Sequence, residues 1–323
     1  METPALKVSD LTKRYGDVTA LDGATFSVEA GEIFGFLGPN GAGKTTTINV
    51  LTGLARPTSG SVRVLGYTYP AGLTSAQARI GVVPDESNLY PEMDGFDNLC
   101  FCAALYGISR DTRERRARDL LERFELADVG SRPFAAYSRG MKRKLTIAAA
   151  LIHDPDILFL DEPTTGIDVA SARGIRRLLG DLRNDGVTIF LTTHYIEEAE
   201  RLCGRIAFIV GGSIVRIDAK EDLLSEADGS STLSFSLDGD ARRGADLISS
   251  SFPDLLTRLH ADGTLTVISP GEMDLMPILR AFDGAGIPVY EARLVRPSLE
   301  DVFVRITGIE AEEMKRHKEG SGR

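Results

Sequence analysis

The sequence predicts an α/β fold with a small α+β domain behind it, and three stretches carry that prediction. Ile33 to Leu37 is an apolar run that opens into GPNGAGKTT, Gly38 to Thr46, and then into an apolar-periodic segment, the order strand, glycine-rich loop, helix. Ile157-Leu158-Phe159-Leu160 are consecutive large apolar residues, as in a strand buried on both faces, and Asp161 and Glu162 follow where such a strand emerges. Ser225 to Ser231, SEADGSS, is polar and reads as a flexible boundary, after which shorter strand and helix patterns resume.

Taken in order, residues 5 to 30 alternate apolar and polar around turn signals at Tyr15-Gly16-Asp17 and Asp22-Gly23, an antiparallel lead-in to the strand 33–37. Thr46 to Leu54 reads as a helix, Arg56 to Gly60 as a turn, Ser61 to Leu65 as a strand, and Ile80 to Val83 as a short strand stopped by Pro84. Asn98 to Phe124 is helical with a break at Gly107 to Asp111, and its mixed-sign charges from Arg110 to Glu125 mark a solvated face. A helix is expected over Met141 to His153, a strand over Val187 to Thr192, and a hairpin of 205–210 with 213–217 around Gly211-Gly212. Past the boundary, Leu233, Phe235 and Leu237 alternate as a strand, Ala241 to Phe252 reads as a helix, and Leu265 with Val267 marks a second strand. Residues 273–282 and 287–294 continue that layout, and Ser298 with Asp301 makes a capping-box-like start to a last helix. Residues 310–323 are charged and glycine-terminated, expected as a frayed tail. The expected domains are therefore 1–224, 225–309 and the tail 310–323.

Composition narrows the function. A chain of 323 residues, 42% hydrophobic and 26% charged, is long enough for two globular domains. Its longest apolar runs, such as Leu145 to Ile152, fall far short of the roughly 18 residues that span a bilayer. No basic segment followed by an apolar one opens the chain, so secretion is not expected. A net charge of -10 argues against a nucleic-acid surface spread over the protein, leaving Arg139 to Lys144 as the best local basic patch. Cys100, Cys102 and Cys203 lack metal spacing and are expected to be core thiols.

The chemistry concentrates in two places. Gly38, Gly43, Lys44 and Thr45 fill the fixed positions of the phosphate loop, with Asn40, Gly41 and Thr46 completing it. Glycines let backbone amides approach an anion, and the helix that follows points its positive end at the same place. Lys44 would then reach terminal phosphates, while the Thr45 hydroxyl would hold a magnesium ion bridging them. Asp161 and Glu162 sit at the carboxyl end of a buried strand, where ligands bind in open α/β sheets. Alone they fit an acidic turn. Beside a phosphate loop, Asp161 is placed to hold the magnesium and Glu162 to accept a proton from water. His194, at the mouth of the strand 187–192, taken alone is more often a packed or solvated residue than a functional one.

Over about its first two thirds the chain resembles the ATP-binding subunit of an ABC transporter. That resemblance implies a P-loop NTPase of the ABC ATPase type, a RecA-like core with antiparallel β and α-helical subdomains, here followed by the small α+β domain. It implies that Tyr15 in KRYGDVTAL stacks on adenine, that Glu162 is the catalytic base, that Asp168 in TTGID belongs to the D-loop, and that His194 senses the γ-phosphate. YSRGMKRKL, from Tyr137, occupies the place of the LSGGQ signature, with Ser138 and Gly140 on its two key positions. In the family this element reaches the partner's nucleotide, so a homodimer or a paired ATPase subunit is implied. Arg139 and Met141 depart from the general signature, and the Q-loop glutamine position is Asp85, a shorter and charged side chain that can still ligate magnesium.

The ending RPSLEDVFVRITG and the signature spelling resemble daunorubicin-resistance-type exporter ATPases. The implied protein hydrolyses ATP with Mg2+ and drives a separate transmembrane permease, whose coupling helix docks at 87–106. It would be cytoplasmic, peripheral on the cytoplasmic face, touching the membrane only through the permease and binding no nucleic acid. An importer ATPase with a regulatory domain and a soluble non-transport ABC ATPase are the alternatives. Against the latter, the chain has one phosphate loop, and no sustained heptads fill the roughly 90 residues between Lys44 and Ser138.

Overall fold

Alternation in the first thirty residues produces a hairpin. β1 (Leu6–Tyr15) and β2 (Val18–Val28) pair antiparallel, with Leu6 opposite Val28 and Val8 opposite Phe26, so all four side chains are buried on one face. A computed structural model describes residues 3–225, 231–238, 241–260, 262–269, 271, 273–295 and 298–309. Of the expected boundary 225–231, residues 226–230 lie outside the described residues, as does the tail 310–323; Ser225 ends a helix and Ser231 opens a strand. The described contacts divide the chain into two compact units, 1–219 with 306–323, and 220–305.

In the first unit the apolar run becomes β3 (Ile33–Leu37), and the phosphate loop leads into α1 (Lys44–Leu51). β4 (Ser59–Val64), β5 (Tyr67–Thr68), α2 (Leu73–Gln77) and β6 (Ile80–Val83) follow. Next come α3 (Gly95–Leu105), α4 (Arg110–Arg123), α5 (Arg139–Leu151) and β7 (Ile157–Asp161). The unit continues with α6 (Val169–Asn184), β8 (Thr188–Thr193), α7 (Ile196–Leu202), β9 (Arg205–Val210) and β10 (Ser213–Ala219).

Two sheets result, in the orders β2-β1-β4-β5 and β10-β9-β3-β8-β7-β6. In the second, β9, β3, β8, β7 and β6 run parallel and β10 is antiparallel. Every residue of β3, β7 and β8 is buried, which explains their unbroken apolar or β-branched character. Phe26 of the hairpin packs on Phe34, Phe36 and Phe190 of the parallel sheet, at centroid distances of 5.8, 5.6 and 6.0 Å. Each such pair contributes about 0.5–1.5 kcal/mol beyond its buried area. Those rings fasten one sheet to the other. Register aligns the strand ends: Leu37 lies beside Thr193 and Asp161 beside Thr192. The phosphate loop, the acidic pair and His194 therefore emerge at one edge of the sheet.

The second unit comprises α8 (Lys220–Ser225), β11 (Ser231–Leu237), α9 (Ala241–Ser251), β12 (Leu256–Leu259), β13 (Thr264–Ser269), α10 (Leu275–Gly284) and β14 (Val289–Val295). Its sheet runs β12-β13-β11-β14, all antiparallel, around a core of Leu233, Phe235, Leu265, Val267, Ile248 and Phe282. The capping box predicted for the last helix is present. In α11 (Leu299–Thr307), Asp301 Oδ2 accepts from Ser298 N at 2.9 Å, and Ser298 Oγ accepts from Asp301 N at 3.2 Å.

Several boundaries move. α1 starts two residues earlier than expected because left-handed Gly43, φ 102°, serves as its N-cap, and α5 starts at Arg139 because Ser138 caps it. The 139–144 basic run is not a patch: Arg143 is buried, Lys144 pairs with Glu125 at 2.6 Å, and Lys142 sits over the Phe134 ring. Of the cysteines, Cys203 is the core thiol expected, whereas Cys100 and Cys102 on α3 are only half-buried; none of the three is in a disulfide. Among the described residues no helix is long and apolar enough to cross a membrane.

Candidate nucleotide site

Gly43 sets the loop's geometry. At φ 102° a side chain is strained, and an added Cβ would collide with the carbonyl oxygen of Ala20, so only glycine lets the chain enter α1 against β2. The first amides of α1 then face an open cleft of about 970 Å³ lined by 39–46, Asp85, Glu162, Val18 to Ala20 and Val210 to Gly212. Of the predicted nucleotide ligands, Asn40, Gly41, Gly43, Lys44, Thr45 and Thr46 line it, and so do Asp85 and Glu162. Gly38 does not line it; its carbonyl accepts from Lys44 Nζ at 2.8 Å, and Pro39 O accepts from the same atom at 3.1 Å.

The two strand-end acids differ in their partners. Asp161, 3% exposed, accepts from Thr45 Oγ1 on Oδ2 at 2.8 Å and from Thr192 Oγ1 on Oδ1 at 2.5 Å. Burial pushes its carboxyl up, and the two hydroxyls partly oppose that. Glu162 adopts φ 50°, uncommon for this residue type, and turns its carboxylate between two cations or donors. Its Oε1 lies 3.2 Å from Lys44 Nζ, and its Oε2 lies 2.8 Å from His194 Nδ1 and accepts from Thr165 Oγ1 at 3.1 Å. Burial alone would raise this carboxyl, but the hydrogen bond from His194 and the Lys44 charge outweigh it and hold Glu162 below the ordinary carboxylate range. An ionised, oriented carboxylate beside an anion cradle can take a proton from water.

Three predicted residues gather elsewhere. Ser138 Oγ accepts from Met141 N at 3.3 Å and caps α5; Asp168 Oδ1 accepts from Ser171 N at 2.9 Å and caps α6. The two helix starts abut, because Gly140 leaves no room for a Cβ against Ser171, and Arg139 Nη1 reaches Gly166 O at 3.4 Å. None of the three lines the cleft. Tyr15 does not line it either: it is half-exposed at the end of β1, paired with Val18, and its ring carries Lys13 Nζ at 4.5 Å. Thr192, Arg143 and Glu198 were not singled out from the sequence. Thr192 orients Asp161; Arg143 donates to the carbonyls of Asp161, Glu162 and Pro163; Glu198 accepts from Thr164 Oγ1 at 2.6 Å.

Residues 21–165 match the family described as "ABC transporter". Over 312 residues the chain is 39% identical to Nod factor export ATP-binding protein I of Ralstonia nicotianae, with 95% of both chains covered. This chain belongs to the ABC transporter family. As an ABC ATPase it is also similar to the daunorubicin resistance ATP-binding protein DrrA3 of Streptomyces coeruleorubidus, 36% identical over 95% of this chain and 97% of that one. A dimeric ATP-binding cassette in a post-hydrolysis state, bound to ADP and Pi, superposes with a TM-score of 0.61 at 28% identity, covering 67% of this chain and 98% of the other. The fold is that of the ABC nucleotide-binding domain, and the chain is an ATP-hydrolysing member of the family.

Proposed function

We propose that this ABC ATPase powers export through a separate transmembrane permease, with two ATPase chains closing around two ATP molecules. The observation that carries the catalytic part is the Glu162 carboxylate, held between Lys44 and His194 at the end of β7. Lys44 and the amides of 40–46 bind the phosphates. Tyr15, exposed and paired with the cleft residue Val18, takes the adenine. Ser138, Gly140 and Asp168 act across the dimer on the partner's nucleotide, which is consistent with their distance from the cleft of their own chain.

Thr45 and Asp161 are the residues to hold Mg2+, with Asp85 at the same cleft; a hydroxyl and a carboxylate in contact form the hard oxygen set that this ion takes. The bound ion would neutralise charge on the phosphate oxygens. Glu162 accepts a proton as water attacks the γ-phosphorus and the bond to the bridging oxygen breaks, releasing ADP and phosphate. His194 fixes the carboxylate through Nδ1, and its proposed role is to sense the γ-phosphate.

Residues 1–224 form the ATPase domain and 225–309 an accessory domain. The protein works on the cytoplasmic face of the membrane and binds no nucleic acid. The permease docks at 87–106, where Asn98 Nδ2 bonds Tyr90 O at 3.0 Å and Met93 O at 3.2 Å, holding Tyr90 outward. Pull-down of the tagged chain from detergent-solubilised native membranes is expected to recover a polytopic membrane protein. Recovery of ribosomes or DNA instead would overturn the transport reading, and transport assays in both directions on the recovered complex decide export against import.

A further inference from the structure

Arg143 is a buried cation that donates five hydrogen bonds to backbone carbonyls. It lies on α5, within the stretch that stands in the signature's place, and is 7% exposed. Nε donates to Pro163 O at 2.9 Å, and Nη2 to Asp161 O at 2.7 Å and Glu162 O at 2.6 Å. Nη1 donates to Asp85 O at 3.3 Å and to Pro84 O. Only a guanidinium supplies donors in a planar fork to serve both groups of carbonyls at once.

The carbonyls belong to two segments that the chain separates widely. One is the turn carrying Glu162 in its left-handed conformation, φ 50°, which persists only when its surroundings over-determine it. The other is the 84–85 segment, which puts Asp85 in the cleft and leads into the region around Tyr90. The fork itself rides on the helix that Ser138 caps. A shift of α5 or of the 84–85 segment therefore pulls on the backbone at Glu162 itself.

We propose that Arg143 is the positioning residue for Glu162, clamping the 161–163 turn to the 84–85 segment so that the carboxylate meets the attacking water only while both segments and α5 are in place. The inference rests on the reading of Glu162 as proton acceptor. It requires that Arg143 affect turnover far more than nucleotide binding, because the phosphates are held by 40–46 and Lys44, none of which Arg143 touches in the bonds above.

The test compares the purified full chain with Arg143→Ala, Arg143→Lys and Glu162→Gln for ATP turnover, KM and thermal unfolding. Arg143→Ala is expected to lower kcat about 10²-fold, as a displacement near 1 Å does, with KM within about threefold of wild type. Millimolar guanidinium ion, refilling the space, should restore part of that kcat, a recovery that a merely destabilised fold does not show. Should Arg143→Ala not fold, Arg143→Lys carries the test, expected to fold and to lose about tenfold or more in kcat because an ammonium cannot reproduce the fork. Wild-type kcat in either Arg143 variant, a KM rise accounting for the whole loss, or no recovery with guanidinium would overturn the proposal. Wild-type turnover in Glu162→Gln would instead overturn the reading of Glu162, and this inference with it.

Discussion

Lys44 Nζ stands 3.2 Å from Glu162 Oε1, with the two side chains 7% and 9% exposed. The two charges neutralise each other in this pair. On the mechanism proposed above, incoming phosphates would compete with Glu162 for Lys44, and ATP binding would free one oxygen of the carboxylate toward the attacking water.

Removing the cation should cost both binding and stability. Lys44→Met leaves Glu162 buried with His194 as its remaining strong partner, so unfolding free energy is expected to fall by about 3–5 kcal/mol, as for other broken buried pairs. Calorimetric titration should show ATP affinity falling about 10²-fold or more. Unchanged affinity would show that the loop amides alone suffice.

The contact between Thr45 and Asp161 predicts a metal phenotype. Thr45→Val keeps the shape but removes the hydroxyl, and the Mg2+ concentration giving half-maximal turnover should rise about tenfold or more. A titration of turnover against Mg2+ at saturating ATP reads this out.

Glu198, 1% exposed, supplies a pH signature. Burial pushes its carboxyl up against the opposing hydroxyls of Thr164 and Thr193, and its Oε2 has no hydrogen-bond partner among the described residues. A group raised on folding contributes stability that is fully present below its unfolded value, about 4.3, and is lost as pH rises through the folded value. Relative to Glu198→Gln, whose amide stays neutral, the wild-type Tm should therefore decline as pH is raised. A gap between the two melting curves that does not widen from pH 5 to pH 9 would contradict it.

Tyr90 is half-exposed and packs edge-on against Phe101 at 5.1 Å, outside the nucleotide cleft. Tyr90→Ala should uncouple transport in the reconstituted complex while basal ATPase of the isolated chain stays within about twofold, as expected of a contact made only to the permease. A parallel loss of basal ATPase would place Tyr90 in the catalytic machinery.

What was legible in the sequence was what is local. The phosphate loop, the all-apolar β7 and the β-branched β8 announce themselves within a few residues, and because buried parallel strands align their carboxyl ends, Thr45, Asp161, Glu162 and His194 had to converge. Arg143 was hidden because Arg139 to Lys144 reads as a local basic patch; its carbonyl partners lie 18 to 59 positions away in the chain. Thr192 looked like one more β-branched strand residue. α6 was missed although Ala172, Ile175, Leu179 and Leu182 fall on one buried face, since arginines and glycines interrupt its apolar pattern. α7 and β5 are too short for any periodicity to register, and β12 is mostly exposed, so no alternation marked it.

Steady-state ATP turnover of the purified chain against Glu162→Gln, with ATP affinity measured on both, tests whether Glu162 is the proton acceptor. The expected result is a fall in kcat of about 10²-fold or more, with ATP affinity maintained or raised because Lys44 no longer faces a competing carboxylate. Turnover near the wild-type rate in Glu162→Gln would contradict it.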